Sequence, residues 1–312
     1  MNIKISLKLI YLILILFVIL IYGCESWNIQ ITRPGYDPGY HKQYPRLPHA
    51  FALVKNPHPV RYGEKSERFE VRDGDCGDDD CRANTRYRSE ISIEKRKIKA
   101  RFGEDIWYGW SFYNYNISEY DRTKNMYITV GQWKMGGKNR PIKIHQQIQE
   151  KYRDIDWKAC DPKICSNHLT SKKNDDVFLS LDDLKQPAKS ESNNWLNVCR
   201  LFSMKDVMGK WTDIVYNTNF STENDGYINI WINGIKRCEY RGPIFTVKDF
   251  SMYPGPLHRR GIYVSATEDW DKNYPNITKP TFIVYYDEFR VGRNREEVDI
   301  RIIEKKGLPA VD

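Results

Sequence analysis

Three short polar stretches hold the residues that could do chemistry. In Arg86-Tyr87-Arg88-Ser89-Glu90-Ile91-Ser92, strand alternation puts Arg86, Arg88, Glu90 and Ser92 on one face and Tyr87, Ser89 and Ile91 on the other. Two guanidiniums beside a carboxylate suit a groove floor, where Glu90 orients Arg88 toward a ligand carboxylate. They suit equally well a solvated outer face with weak ion pairs. In Ile128-Thr129-Val130-Gly131-Gln132-Trp133-Lys134, the same alternation turns Gln132 and Lys134 the way Val130 faces. Ile142-Lys143-Ile144-His145-Gln146-Gln147 follows a Gly-rich turn and is expected to return as the paired strand, with Lys143, His145 and Gln147 on one face. If the two faces adjoin, an amide, an ammonium and an imidazole converge. His145 then has a pKa suited to base work, although a lone histidine on a strand is more often structural. In Leu257-His258-Arg259-Arg260-Gly261-Ile262-Tyr263, the residues Arg259, Gly261 and Tyr263 share a face, and the bare Gly261 leaves room for a ligand between cation and phenol. A tyrosine held by its ring in a core fits that pattern too.

The elements that must position these groups are short strands. β-rich segments recur at 68–71, 86–93, 107–113, 127–133, 142–149, 211–220, 227–232, 261–265 and 281–291, separated by turn signals such as Asp73-Gly74, Asp225-Gly226 and Asn233-Gly234. Many short strands without a long helical period predict an all-β sandwich or barrel. The 21 Tyr, 9 Trp and 12 Phe suit half-buried pleated surfaces. Residues 25–65 carry prolines 34, 38, 45, 48, 57 and 59 and read as an extended lead-in. The charged stretch 154–194 reads as an elaborated loop. A single β domain over 66–300 is expected, with 301–312 as a C-terminal tail.

The chain of 312 residues opens on Lys4 and Lys8, then an unbroken apolar run from Leu9 to Tyr22, then Gly23 and Cys24. That is the layout of an export signal, and the run is shorter than the ~20 residues of a membrane span. Ile21-Tyr22-Gly23-Cys24 also resembles a lipobox, which would make Cys24 a lipid anchor. The remaining cysteines, Cys76, Cys81, Cys160, Cys165, Cys199 and Cys238, are even in number and suggest up to three disulfides. The simplest assignment staples Cys76 to Cys81 and Cys160 to Cys165 locally, leaving Cys199 and Cys238 to join distant segments. No histidine lies at ligand spacing beside either close pair, so no metal is assigned to them. Asp75, Asp78, Asp79 and Asp80 read as a solvated acidic loop rather than a calcium site, and no cofactor is expected. The net charge of +8 falls to +6 without Lys4 and Lys8, a dispersed excess that favours an acidic partner. Without a dense basic run, nucleic acid is not expected. The expected product is an exported monomer, secreted, periplasmic or lipid-anchored.

At the three polar stretches the chain resembles the jelly-roll polysaccharide lyases, the group containing glucuronan lyase, heparin lyase I and the alginate lyases. Those enzymes combine an Arg-(Ser/Thr)-Glu strand, a Gln-x-His strand and a Tyr-Phe-Lys-x-Gly-(Ile/Val)-Tyr strand. Here the order is Arg88-Ser89-Glu90, Gln132-Trp133-Lys134 and Leu257-His258-Arg259-Arg260-Gly261-Ile262-Tyr263. Trp211-Thr212-Asp213, Trp231-Ile232-Asn233-Gly234 and Asp287-Glu288-Phe289-Arg290-Val291-Gly292 support it, and the glucuronan and heparin lyase I branch matches best over 66–292. The resemblance implies a β-sandwich jelly roll with a concave groove, an anionic polysaccharide as partner, and β-elimination at a uronic acid. Arg88 and Gln132 would neutralise the carboxylate, and Tyr263 would be the acid and also a candidate base. Arg86, Glu90, Arg259 and Trp133 would line the substrate. The chain departs from the pattern at Lys134, which stands where a histidine base is expected and is protonated at an ordinary pKa. Either His145 supplies the base, or Lys134 is depressed by its surroundings, or the site only binds. Arg259 replaces the family lysine, cation for cation. No Glu-x-Asp-x-x-Glu strand is present, which argues against a glycoside hydrolase.

Overall fold

Asn233 and Gly234 both take positive φ, 49° and 80°, as a two-residue hairpin turn between strands demands. Such turns and the β-branched and aromatic runs between them generate the strands of the computed structural model, which describes residues 40–44, 47–76, 86–93, 100–117, 126–134, 142–146, 176–181, 196–244 and 255–312. In chain order the strands are β1 (Tyr40–Tyr44), β2 (Phe51–Val54), β3 (Ser66–Val71), β4 (Arg86–Ile93), β5 (Ile106–Asn114), β6 (Tyr127–Lys134), β7 (Ile142–Gln146), β8 (Asp176–Leu181), β9 (Leu196–Ser203), β10 (Trp211–Thr218), β11 (Tyr227–Ile232), β12 (Ile235–Arg241), β13 (Leu257–Ser265) and β14 (Phe282–Gly292). Two short helices, α1 (Thr267–Asn273) and α2 (Ile300–Lys305), flank β14. Every described residue belongs to one unit, Ile31–Asp312.

The strands form two seven-stranded sheets whose ladders are all antiparallel, in the orders β1-β4-β13-β6-β7-β8-β9 and β12-β11-β10-β5-β14-β3-β2. The expected β-sandwich jelly roll is the fold. One face of each sheet buries aromatic and branched side chains against the other, as sheet-on-sheet packing requires. Trp133 of the first sheet stacks on Tyr216 of the second, centroids 4.4 Å apart, and His258 stacks on Phe289 at 4.6 Å. Burial, aided by the nearby Arg260 guanidinium, holds the His258 imidazole well below its usual pKa, so it packs as a neutral ring.

Several elements differ from the sequence expectation. β1 and β2 fall inside the supposed lead-in and join the sheets beside β4 and β3, and β8 falls inside the supposed 154–194 loop. β2 lies at the outer edge of its sheet among prolines, where a missing N–H is tolerated, so composition hid it. The stretch 301–312 is not a free tail. Asp312 accepts hydrogen bonds from the Glu64 and Lys65 amides at 2.7 and 3.1 Å, and the Val311 amide donates to Glu288 at 2.7 Å. Cys199 and Cys238 are disulfide-bonded as expected, joining β9 to β12, the last strands of the two sheets. Cys76 is also disulfide-bonded, whereas Cys24, Cys81, Cys160, Cys165 and the N-terminal apolar run lie outside the described residues. Among the described residues no helix is long and apolar enough to cross a membrane.

The outer face of β14 carries an acid with a measurable consequence. Asp287 is buried and accepts hydrogen bonds from the amides of Arg61, Tyr62 and Glu288 at 2.7, 3.3 and 2.7 Å. Burial, reinforced by the adjacent Glu288 carboxylate, outweighs those donors and pushes Asp287 up to about 8. The folded state therefore holds a proton that the unfolded chain releases near pH 4, so this group's contribution is full below that pH and is lost as pH rises through about 8. Asp287→Asn removes the titration. Thermal melts from pH 5 to 9 should show the variant gaining on the parent up to about pH 8 and keeping a constant offset above it. Parallel curves would show that Asp287 is ionised throughout.

Candidate active site

β13 is the centre of the site, because β4 and β6 flank it and each contributes one of the polar stretches. Its register with β4 pairs Arg259 with Ser92, Gly261 with Glu90 and Tyr263 with Arg88. Its register with β6 pairs Leu257 with Lys134, Arg259 with Gln132 and Tyr263 with Thr129. The Arg88 guanidinium lies over the Tyr263 ring, 4.6 Å from its centroid. Arg88 Nη1 donates to Glu90 Oε2 at 3.5 Å, and Gln132 Nε2 donates to Glu90 Oε1 at 2.5 Å. Glu90 thus reaches across β13 to β6, and no side chain stands between them because its partner on β13 is Gly261. No room for a ligand opens at Gly261, where backbone and the Phe69 ring crowd the position a side chain would take. The glycine is also required by the backbone: it sits at φ 125°, and a Cβ there would lie 2.1 Å from the Ser89 carbonyl oxygen and 2.9 Å from the Phe69 ring.

Arg88, Glu90, Gln132, Arg259 and Tyr263 are therefore brought together, and all five are buried. Withdrawal from water strengthens each charge interaction among them. Glu90 fixes one N–H of Gln132 and one edge of Arg88. This charge-assisted pairing engages one of the two N–H groups of Gln132. Arg86 lies at the far end, opposite Ser265.

The alternation on β6 does not survive the fold. Val130 and Trp133 both belong to the core, three residues apart, while Gln132 bonds to Glu90 on the opposite face. A register shift between Thr129 and Gly131 reverses the pattern, as a bulge does. Gln132 therefore does not face the way Val130 faces. Trp133 is not a substrate contact, since it is fully buried against Tyr216 and Tyr108 between the sheets.

β7 does return beside β6, pairing Lys143 with Gln132 and His145 with Thr129. Arg88, Tyr263, Thr129 and His145 thus form one cross-strand row. At the usual strand spacing, the His145 backbone is about 10 Å from that of Tyr263. Lys134 lies opposite Leu257, roughly 15–20 Å along the strand from that row, beyond the last residue paired with β7. The structure does not bring Lys134 to Tyr263. The Thr129 hydroxyl, between Tyr263 and His145 in the row, is buried without a hydrogen-bond partner among the described residues.

Three polar groups behind the site escaped the sequence reading. Arg260 is buried and donates to Glu67 through Nε and Nη2, both at 2.6 Å. The Tyr286 hydroxyl donates to the Val130 carbonyl, with the Gly261 carbonyl 3.2 Å away. A signal was present, since Glu67 shares parity with Phe69 and Val71, and Arg260 shares it with Ile262 and Val264. A charge on an apolar strand face is either an error of register or a paired buried ion.

Of the acidic loop, Asp75 is described: it accepts from the Arg72 amide at 2.7 Å and contacts His49 Nε2 at 2.8 Å. Asp78, Asp79 and Asp80 lie outside the described residues, among which no group of three or more His, Cys, Asp or Glu could hold a metal.

A protein-family model described as polysaccharide lyase matches residues 35–290. No curated protein matches the chain. Among solved structures, the endo-β-1,4-glucuronan lyase of the fungus Trichoderma reesei is 20% identical with a TM-score of 0.56, covering 87% of this chain and 98% of its own. Alginate lyase A1-II′, a member of polysaccharide lyase family 7, is 11% identical with a TM-score of 0.44, covering 85% of this chain and 96% of its own. The catalytic domain of a glycoside hydrolase family 131 protein from Coprinopsis cinerea is 12% identical with a TM-score of 0.46, covering 83% and 85%.

Proposed function

The chain belongs to the polysaccharide lyase family, and from that premise we propose that it cleaves a uronic-acid-containing polysaccharide by β-elimination on the β4-β13-β6 face. The observation that carries this reading is the set Arg88, Gln132, Arg259 and Tyr263, converged from three strands onto one buried cluster. In the reaction a base removes the C5 proton, its electron pair forms the C4–C5 double bond, and the C4–O bond breaks. The departing oxygen takes a proton from an acid. A carbanion beside an ionised carboxylate is prohibitive in water, so donors must already be aimed where charge develops. Arg88 and the other N–H of Gln132 serve the carboxylate, with Arg259 beside Gln132 adding a second cation. Tyr263 protonates the leaving oxygen. The glucuronan lyase of similar fold supports a polyglucuronate among candidate substrates.

The register supports His145 as the base, because it shares the row of Tyr263 while Lys134 does not. His145→Ala is expected to lower kcat 10²- to 10⁴-fold, the usual worth of a positioned base, and Lys134→Ala to lower it less than tenfold. The reverse order, measured by release of unsaturated uronate from the same polymer, would move the base to Lys134. The reading as a whole is tested by incubating the protein with glucuronan, alginate and a glycosaminoglycan and following ultraviolet absorbance of the unsaturated product. Silence on all three overturns the uronate assignment. The basic apolar N-terminus and the disulfides support an exported location, as an extracellular polymer requires.

A further inference from the structure

We propose that Tyr286 and Glu67 are positioning residues that reach through the core from the opposite sheet and fix the register break of β13, and with it the alignment of Tyr263, Arg259 and Gln132. The inference rests on the lyase reading only for its catalytic consequence.

Between the pairs Arg259–Gln132 and Tyr263–Thr129, β13 advances four residues while β6 advances three. On the far side of β6, the pairs Gln132–Lys143 and Thr129–His145 take only two residues of β7. The ladder between β13 and β6 is interrupted here, and interrupted backbone carbonyls need other donors. Tyr286 of β14 supplies one, its single hydroxyl reaching the carbonyls of Val130 and Gly261, one on each side of the break. Burial holds that phenol far above its usual pKa, so the hydroxyl keeps its proton. The residue before Gly261 is held as well, because Arg260 is clamped through two nitrogens by Glu67 of β3. Glu67 and Tyr286 are cross-strand partners in the β3–β14 ladder. One row of the second sheet therefore grips two consecutive residues of the strand that carries Arg259 and Tyr263.

The grip decides which residues face the site. With the break where it is, Gln132 meets Glu90 and Trp133 enters the core. A slip of one residue would exchange those faces. The Glu67–Arg260 hook is not the most economical packing, since apolar side chains of similar volume fill a core at least as well as a buried ion pair. A purely structural role predicts that such apolar replacements leave the chemistry unchanged, whereas a positioning role predicts loss of rate without loss of fold.

The test compares the parent with Tyr286→Phe and with the double variant Glu67→Leu, Arg260→Met. Three readouts are used: turnover of a polymer that the parent cleaves, its affinity, and amide hydrogen exchange resolved by peptide. Both variants should melt cooperatively and bind within about threefold of the parent, while kcat falls roughly 10- to 100-fold, as small misplacements of reacting groups do. Faster exchange should be confined to 129–132 and 259–263. Parent-like kcat and parent-like exchange in the double variant would overturn the proposal, even if Tyr286→Phe fails to fold. If the parent cleaves no uronate polymer, the lyase reading fails by itself. Exchange in the two segments then still decides the brace, with unchanged protection overturning it.

Discussion

Tyr263→Phe is expected to lower release of unsaturated uronate by about 10²- to 10⁴-fold, the range for loss of a positioned proton donor, while leaving polymer affinity close to that of the parent. The substitution removes one oxygen and keeps the ring, so the Arg88 guanidinium 4.6 Å from the ring centroid retains its aromatic partner. Arg88, Gln132 and Arg259, to which the proposal assigns the substrate carboxylate, are untouched. The effect therefore belongs in kcat and not in KM, the signature of an interaction made only in the transition state. Steady-state kinetics on the preferred polymer, paired with calorimetric binding to the inactive variant, separates the two. Turnover within tenfold of the parent would remove Tyr263 from the proton path and return it to the alternative raised by its pattern, a ring packed in place.

Glu67→Ala should be strongly destabilising, at about 3–5 kcal/mol, because it removes the carboxylate that holds the buried Arg260 guanidinium through two nitrogens. Both partners are about 1% exposed, so water cannot substitute for the lost carboxylate. That is a large share of the ~5–15 kcal/mol that holds a typical domain together. Urea unfolding with a fitted midpoint reads it directly. The double replacement by Leu and Met should recover most of the loss, since neither charge is then buried. A Glu67→Ala variant within 1 kcal/mol of the parent would mean that Arg260 finds another acceptor.

The parts of the site readable in the sequence were those governed by local alternation on regular strands. β4 was legible because Arg88 and Glu90 keep period two from end to end, and its core face, Tyr87 and Ile91, is the one expected. β6 was not, because a bulge changes the count by one and so inverts every later side chain. Trp133 was placed at the substrate by the resemblance, whereas alternation alone sets it opposite Gln132, where it lies. β14 hides a similar break, with Tyr286 and Phe289 both in the core and Glu288 between them at φ 55°. Edge strands such as β2 and the charged β12 were hidden because an edge is built to resist pairing, and its composition resembles a loop.

By itself the sequence determined the architecture class and the presence of an even set of cysteines, while the resemblance singled out the cations, amide and phenol that gather on one face. The first two follow from side-chain periodicity and cysteine parity, which are local properties, and the third from short motifs that the chain shares with a family. Tertiary structure alone decided which strands are neighbours, where the ladders slip, and hence that His145 shares the row of Tyr263 while Lys134 does not. Register is a non-local quantity, set by contacts between segments far apart in the chain. Here Tyr286 and Glu67, on the far sheet, touch the break from behind, and nothing in the spacing of Gln132, His145 or Tyr263 encodes that contact.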